Sequence, residues 1–205
     1  MTWADLSPGW RSAWAQSWEA YQTGNIPVGA AIVDPAGAAL AVGRNRTREA
    51  RSVNGVISGH DLAHAEVNAL LSLPQLPREV TRTLTLLTTV EPCPQCAGTL
   101  VMGPVRRLSY AAPDPWAGSA TLFTDHPYMR AKMKTVSRGP EDLSRVSATL
   151  LILQATEDGV FRGLFREKFE AALPDAVKAA ESYRGRLDRE LDAEAAYTLL
   201  LEATP

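Results

Sequence analysis

Apolar positions along this chain follow a helical period at the N-terminus and shorter, strand-like runs after it. Leu6, Trp10, Trp14 and Trp18 recur every four residues, and Tyr21 follows three later. That spacing places all five on one face of a helix. Ser7-Pro8 supplies an N-cap and a proline at the first helical position. Gly24-Asn25 closes the segment with ordinary C-terminal chemistry. A row of aromatics offers rings for base stacking, but a helix facing the core is the simpler expectation.

The next runs are short and bounded by turn residues. Val28 to Val33 and Ala38 to Val42 flank Asp34-Pro35-Ala36-Gly37, which predicts a β-hairpin. Residues 44–62 carry Arg44, Arg46, Arg48 and Arg51, then Gly55 and Gly59, and read as a loop. A second helix is expected over Ala63 to Leu73, closed by Pro74 and Pro77. Leu84 to Val90 reads as a strand, Pro94 to Met102 as a helix, and Arg106 to Ala111 as a strand. Residues 112–140 are rich in Pro, Gly and polar groups, predicting loop with one short helix. Ala148 to Gln154 is a strand candidate. Gly159 to Glu202 reads as helical, interrupted at Pro174 and Gly185. Alternating β and α elements imply a layered α/β domain. Residues 1–140 form its motif-bearing part. Residues 141–205 are expected as a C-terminal strand and helical extension packed on the same domain.

Composition narrows the classes. The chain has 205 residues, 45% of them hydrophobic and 21% charged, with a net charge of −2. That is ordinary for a globular protein and gives no overall sign of a polyanion binder. Residues 141–205 hold 8 Lys+Arg against 13 Asp+Glu, so the tail is acidic and the part before it mildly basic. No apolar run approaches the roughly 20 residues that span a bilayer, and no basic segment precedes an apolar one at the N-terminus. A cytoplasmic protein with no membrane partner is the expectation. The only two cysteines form Cys93-x-x-Cys96, which excludes a disulfide framework.

That pair is one half of the candidate chemistry. The other is His64-Ala65-Glu66, and the sequence around the cysteines is Glu91-Pro92-Cys93-Pro94-Gln95-Cys96. An H-x-E followed by P-C-x-x-C marks zinc deaminases that act on bases. A redox pair would have no use for the distant His-x-Glu. His64, Cys93 and Cys96 supply three nitrogen and sulfur ligands for Zn2+, leaving the fourth position open for a water. Glu66 is placed to shuttle protons without being a ligand. His64 and Glu66 are two apart, so mid-helix they would diverge at about 100° per residue. Both reach one centre only if the motif opens a helix. Pro94 at the first helical position likewise makes Cys93 an N-cap, where thiolates are stabilised. Two helix starts are therefore expected to converge on one metal. A closed zinc knuckle, with His60 or His126 as fourth ligand, is the structural alternative. His126, in Asp125-His126-Pro127-Tyr128, otherwise reads as a loop residue near the pocket or on the surface.

At these residues the chain resembles the cytidine-deaminase-like superfamily, on the branch of bacterial tRNA adenosine deaminases and guanine deaminases. The matching stretches are Ile26-Pro27-Val28-Gly29-Ala30, Gly43-Arg44-Asn45-Arg46, His64-Ala65-Glu66-Val67-Asn68-Ala69 and Val90 through Gly98. Tyr110 to Asp114 and Gly118-Ser119 continue it more weakly. The resemblance implies a three-layer αβα fold with a five-stranded mixed sheet, assembled as a homodimer or higher oligomer. It implies that His64, Cys93 and Cys96 hold zinc and that Glu66 is the general acid and base. It further implies that Asn45 hydrogen-bonds the target base, that the Ala65 backbone lines the pocket and that Asp114 lies near the sugar or leaving group. From the residues alone, Asn45 and Asp114 serve equally as turn residues. The loop before His64 is longer than in the tRNA enzymes, with His60-Asp61-Leu62-Ala63 as lead-in.

The function expected is hydrolytic removal of an exocyclic amine from a small nucleobase or nucleoside, purine-type in preference to pyrimidine. The acidic tail supports a small substrate, since it would repel phosphates. A tRNA anticodon loop is the alternative, with Arg44, Arg46, Arg48, Arg51, Arg130, Lys132, Lys134 and Arg138 as phosphate contacts. A catalytically idle, zinc-stapled binding module is the third reading.

Overall fold

The computed structural model describes residues 1–203. The expected hairpin is β1 (Gly29–Val33) paired antiparallel with β2 (Ala39–Arg44). β3 (Thr85–Val90) lies antiparallel on the other side of β1, and β4 (Arg107–Ala112) and β5 (Thr135–Arg138) follow in parallel. The result is a five-stranded mixed sheet in the order β2-β1-β3-β4-β5.

Both faces of the central strands are covered, and β1 is buried along its whole length. Alternation divides its side chains: Ala31 and Val33 join one core, Ala30 and Ile32 the other. The helices are α1 (Pro8–Gln22), α2 (Ala65–Ser72), α3 (Arg78–Thr81), α4 (Pro94–Met102), α5 (Leu122–Asp125), α6 (Pro127–Lys132), α7 (Glu141–Glu157), α8 (Gly163–Ala172), α9 (Pro174–Tyr183) and α10 (Ala193–Ala203). α1 and α7 cover one face of the sheet, α2 and α4 the other, giving three layers.

Two glycines set how closely the helices approach. A Cβ on Gly29 would lie 2.1 Å from the Ala13 carbonyl oxygen of α1. One on Gly43 would lie 2.2 Å from the Ala69 nitrogen of α2. Real Cβ atoms do not come so near, so only glycine lets backbone meet backbone at these crossings.

The tryptophan row faces the core. Trp14, Trp18 and Tyr21 are fully buried, and the indole N–H groups of Trp14 and Trp18 donate to the carbonyls of Ala193 and Leu191, both at 2.7 Å. Each large ring thereby finds the polar partner its N–H requires, and the start of α10 is tied to α1.

Two expectations need correcting. Ala148 to Gln154 is not a strand but the middle of α7, with Ala148, Leu150, Ile152 and Leu153 buried. α7 lies between the sheet and α9 and α10, so its apolar residues occur on several sides. A continuous apolar run of that kind carries no period to separate helix from strand. Pro140 and the acidic pair Glu141-Asp142 before it are the true helix signal. Residues 112–140, expected as loop with one short helix, contain α5, α6 and the fifth strand β5. The interruptions at Pro174 and Gly185 fall where expected, Pro174 opening α9 and Gly185 following it at φ +66°.

Candidate zinc centre and the cavity beside it

His64 is the N-cap of α2, and Cys93 is the N-cap of α4 with Pro94 at the first helical position. The two helix starts meet at the carboxyl ends of the parallel strands. His64 Nδ1 is 3.5 Å from Cys93 Sγ and 3.4 Å from Cys96 Sγ. A tetrahedral zinc, with nitrogen at about 2.0 Å and sulfur at about 2.3 Å, separates such donors by about 3.5 Å. The donor set fits zinc in both element type and spacing. Neither His60 nor His126 joins the group among the described residues. His60 Nδ1 instead accepts from the Leu62 N–H.

Glu66 stands in the first turn of α2, 3% exposed, with Oε2 3.2 Å from Cys96 Sγ. Burial pushes its carboxyl up from the usual range. A hydrogen bond from the Cys96 thiol, helped by the His64 ring, holds Cys93 down at about 4. That same bond, with burial, pushes Cys96 up. His64 is raised, first by its bond to Cys93. Protons are thus shared among His64, Cys93 and Cys96, and those on the ligand atoms would leave when a cation binds.

A cavity of about 190 Å³ opens beside the cluster. Asn45, His64, Ala65, Glu66, Cys93 and Asp114 all line it, and Ile26, Val28, Val90 and Leu151 form apolar walls. Asn45 is buried at the end of β2, and its Oδ1 accepts from the Thr47 N–H and hydroxyl. That fixes the amide and leaves Nδ2 as a donor. Ala65 opens α2, so its N–H lacks an intrahelical acceptor. Asp114 Oδ1 accepts from the N–H groups of Trp116 and Ala117, both at 2.9 Å, so half of its carboxylate holds the turn. Burial raises its pKa. His126 is an exposed N-cap of α6 and does not line the cavity.

The family model for the cytidine and deoxycytidylate deaminase zinc-binding region matches residues 7–112. The chain belongs to this family. It is 32% identical over 147 residues to a tRNA-specific adenosine deaminase of Agrobacterium fabrum, covering 70% of this chain and 82% of that protein. It is 33% identical over 108 residues to a tRNA(Ile)-lysidine synthase of Deinococcus deserti, covering 52% of this chain and 19% of that protein. The chain therefore spans about a fifth of that synthase's length. A solved structure from a study of A-to-I editing by tRNA:A34 deaminases superposes with a TM-score of 0.51. Its identity is 28%, over 64% of this chain and 96% of that one.

Glu91 and Leu151 are cavity residues to which the sequence reading gave no role. Glu91 lies inside the motif, and its Oε1 and Oε2 accept from the N–H groups of Ala120 and Asp114, at 2.9 and 3.3 Å. It pins the loop that carries Asp114. A carboxylate directly after a strand and before Pro-Cys was the available signal. Leu151 reaches the cavity from α7. It was hidden because its segment read as a strand, and nothing local in the sequence points from residue 151 to residue 64.

Three of the four arginines before His64 are paired with carboxylates. Arg44 pairs with Glu19 at 2.9 Å and with Glu49. Arg46 pairs with Glu49 at 2.8 Å, and Arg48 with Asp158 at 2.6 Å. Arg51 is exposed and has no ion pair among the described residues. No described helix is long and apolar enough to cross a membrane.

Proposed function

We propose that this chain catalyses zinc-dependent hydrolytic deamination of a small purine-type nucleobase or nucleoside, releasing ammonia. The observation that carries it is the buried Glu66 carboxyl beside the His64, Cys93 and Cys96 donors, facing the same cavity as Asn45. Zinc held by those three donors supplies a Lewis acid that lowers the pKa of water. Glu66 takes a proton from the attacking water and delivers it to the ring nitrogen as the new C–O bond forms. It then passes the second proton to the exocyclic amine, the C–N bond breaks, and ammonia leaves behind a ring carbonyl. Asn45 Nδ2 and the Ala65 N–H orient the heterocycle, and the apolar walls exclude bulk water.

Three observations support a small substrate. The cavity is compact, Leu151 closes one side of it, and Arg44, Arg46 and Arg48, next to Asn45 in sequence, are paired with carboxylates. The purine preference rests on the likeness to adenosine deaminases. That likeness also favours a second reading, deamination of adenosine within tRNA. The homodimer implied by the resemblance belongs to the proposal, with sedimentation velocity as its check.

The test is ammonia release by zinc-loaded protein from a panel of bases, nucleosides, nucleotides and bulk tRNA, with Glu66→Ala as control. Turnover of one small compound supports the first reading. Activity on tRNA alone replaces it with the second. Silence on every member, with zinc bound, would return the idle-module reading.

A further inference from the structure

A larger cavity, about 340 Å³, lies at the opposite edge of the sheet. Cys93 and Cys96 follow the carboxyl end of β3, whereas this cavity is built from segments that precede β3, β4 and β5. A strand of six residues separates the two edges by about 20 Å. Four of its lining residues are cations: Arg78, Arg82, Arg106 and Lys132. No Asp or Glu lines it, and none of the four is ion-paired among the described residues.

The arrangement is held from several elements. Arg78 and Arg82 are four apart on the single turn of α3 and its cap, so they share a face that Glu79 does not. Arg106 is anchored through Nη1 to the carbonyls of Val101, Gly103 and Val105 at the end of α4, leaving Nε and Nη2 as donors. Lys132 is half-buried, its ammonium 5.2 Å from the centre of the Tyr128 ring. Like charges gathered in one concavity repel unless an anion enters, and concave walls focus their field. Beside them lies an exposed, weakly polar lip. Met102 is 73% exposed and touches the Tyr128 hydroxyl at 3.7 Å.

We propose that this cavity is a second ligand site, which binds the phosphate chain of a nucleoside di- or triphosphate while its base rests on the Tyr128–Met102 lip. Arginine forks and a lysine suit vicinal phosphates, and an aromatic face suits any base. A single concave cluster fits a compact polyphosphate better than an extended strand, which wants a groove.

The probes are pyrophosphate, adenosine triphosphate and a single-stranded 12-nucleotide RNA, titrated calorimetrically into the zinc-loaded protein. The expected result is saturable 1:1 binding of pyrophosphate, weakened at least tenfold in Arg78→Ala/Arg82→Ala. Both side chains are exposed, so this variant should melt as wild type without ligand. Adenosine triphosphate should bind more tightly than pyrophosphate, and Tyr128→Ala should remove only that advantage. Pyrophosphate binding that persists in the double-arginine variant would belong to the zinc edge and overturn the proposal. No pyrophosphate binding at millimolar concentration would overturn it too. RNA binding that the arginine variant loses but pyrophosphate cannot displace would overturn it in favour of an extended strand.

Discussion

Two arginine clusters sit at opposite edges of one sheet, in opposite surroundings. At the zinc edge, Arg44, Arg46 and Arg48 are each matched by a carboxylate from α1, the loop or α7. At the far edge, Arg78, Arg82, Arg106 and Lys132 line a cavity without one. In sequence the first cluster looks the better phosphate binder, because it is denser and lies beside the motif. The fold reverses that ranking. Charge count measures what a chain carries, whereas availability is set by which carboxylates the fold brings near. The zinc edge has three of its four arginines paired and its chemistry concentrated in buried groups. The far edge has charge to offer and no catalytic group.

The largest effect should come from the buried group at the zinc edge. Glu66→Gln should lower ammonia release by about 10²- to 10⁴-fold, the usual worth of a positioned proton carrier. Zinc content, read by atomic absorption, should be unchanged. Pyrophosphate binding at the far edge should not move, which is the sharpest statement that the edges are separate.

A smaller effect tests whether the C-terminal helices shape the pocket. Leu151→Trp adds bulk to one wall, and crowding of about 1–3 kcal/mol predicts a rise of roughly 5- to 150-fold in KM for the small substrate. Steady-state kinetics beside a thermal melt would separate crowding from unfolding. An unchanged KM would show that α7 merely lies near the pocket.

The comparison itself can be broken at Glu49. Burial pushes its carboxyl up, but hydrogen bonds from Arg44 and Arg46 outweigh this and hold it below the usual 4.5. Its folded pKa is depressed, so its contribution to stability is full above about 4.5 and fades as pH falls through the folded value. Glu49→Gln should therefore flatten the loss of thermal stability as the pH falls below about 4.5. At pH 7 it should free Arg46, leave Arg44 with Glu19 alone, and raise RNA affinity in a way that declines steeply with salt. If RNA binding is already strong and salt-dependent in the wild type, the carboxylates at this edge do not limit it.

Legibility followed the same division between local and non-local causes. α1, α4 and the hairpin carried their own signals in a four-residue period, an N-terminal proline and a turn between short apolar runs. The zinc donors were legible because two helix N-caps with fixed spacing leave few other geometries. β5 was not legible: Thr135–Arg138 is four residues of which only Val136 is apolar, and it is a strand because its backbone pairs with β4. α7 failed for the opposite reason, being apolar on too many sides. With it went Leu151, whose role depends on a contact across the whole chain. The pairing of Arg48 with Asp158, 110 residues apart, was hidden in the same way.

That last pair gives the smallest expected effect. Arg48 also donates to the Gly24 carbonyl at 2.9 Å, and its own N–H is accepted by Asn25 Oδ1. The side chain therefore ties the rim loop to the end of α1 as well as to α7. Arg48 and Asp158 are 40% and 22% exposed at their side chains, so solvent screens the pair. A double-mutant cycle of Arg48→Ala and Asp158→Ala should return a coupling of about 0.2–1 kcal/mol, shrinking with salt. A coupling above that range would mean that α7 and the rim loop are clamped, so that the pocket's size is set by the extension. A coupling near zero would leave apolar packing of α7 on the sheet to hold it against the zinc edge. The arginine would then be neutralised in charge without contributing to the fold.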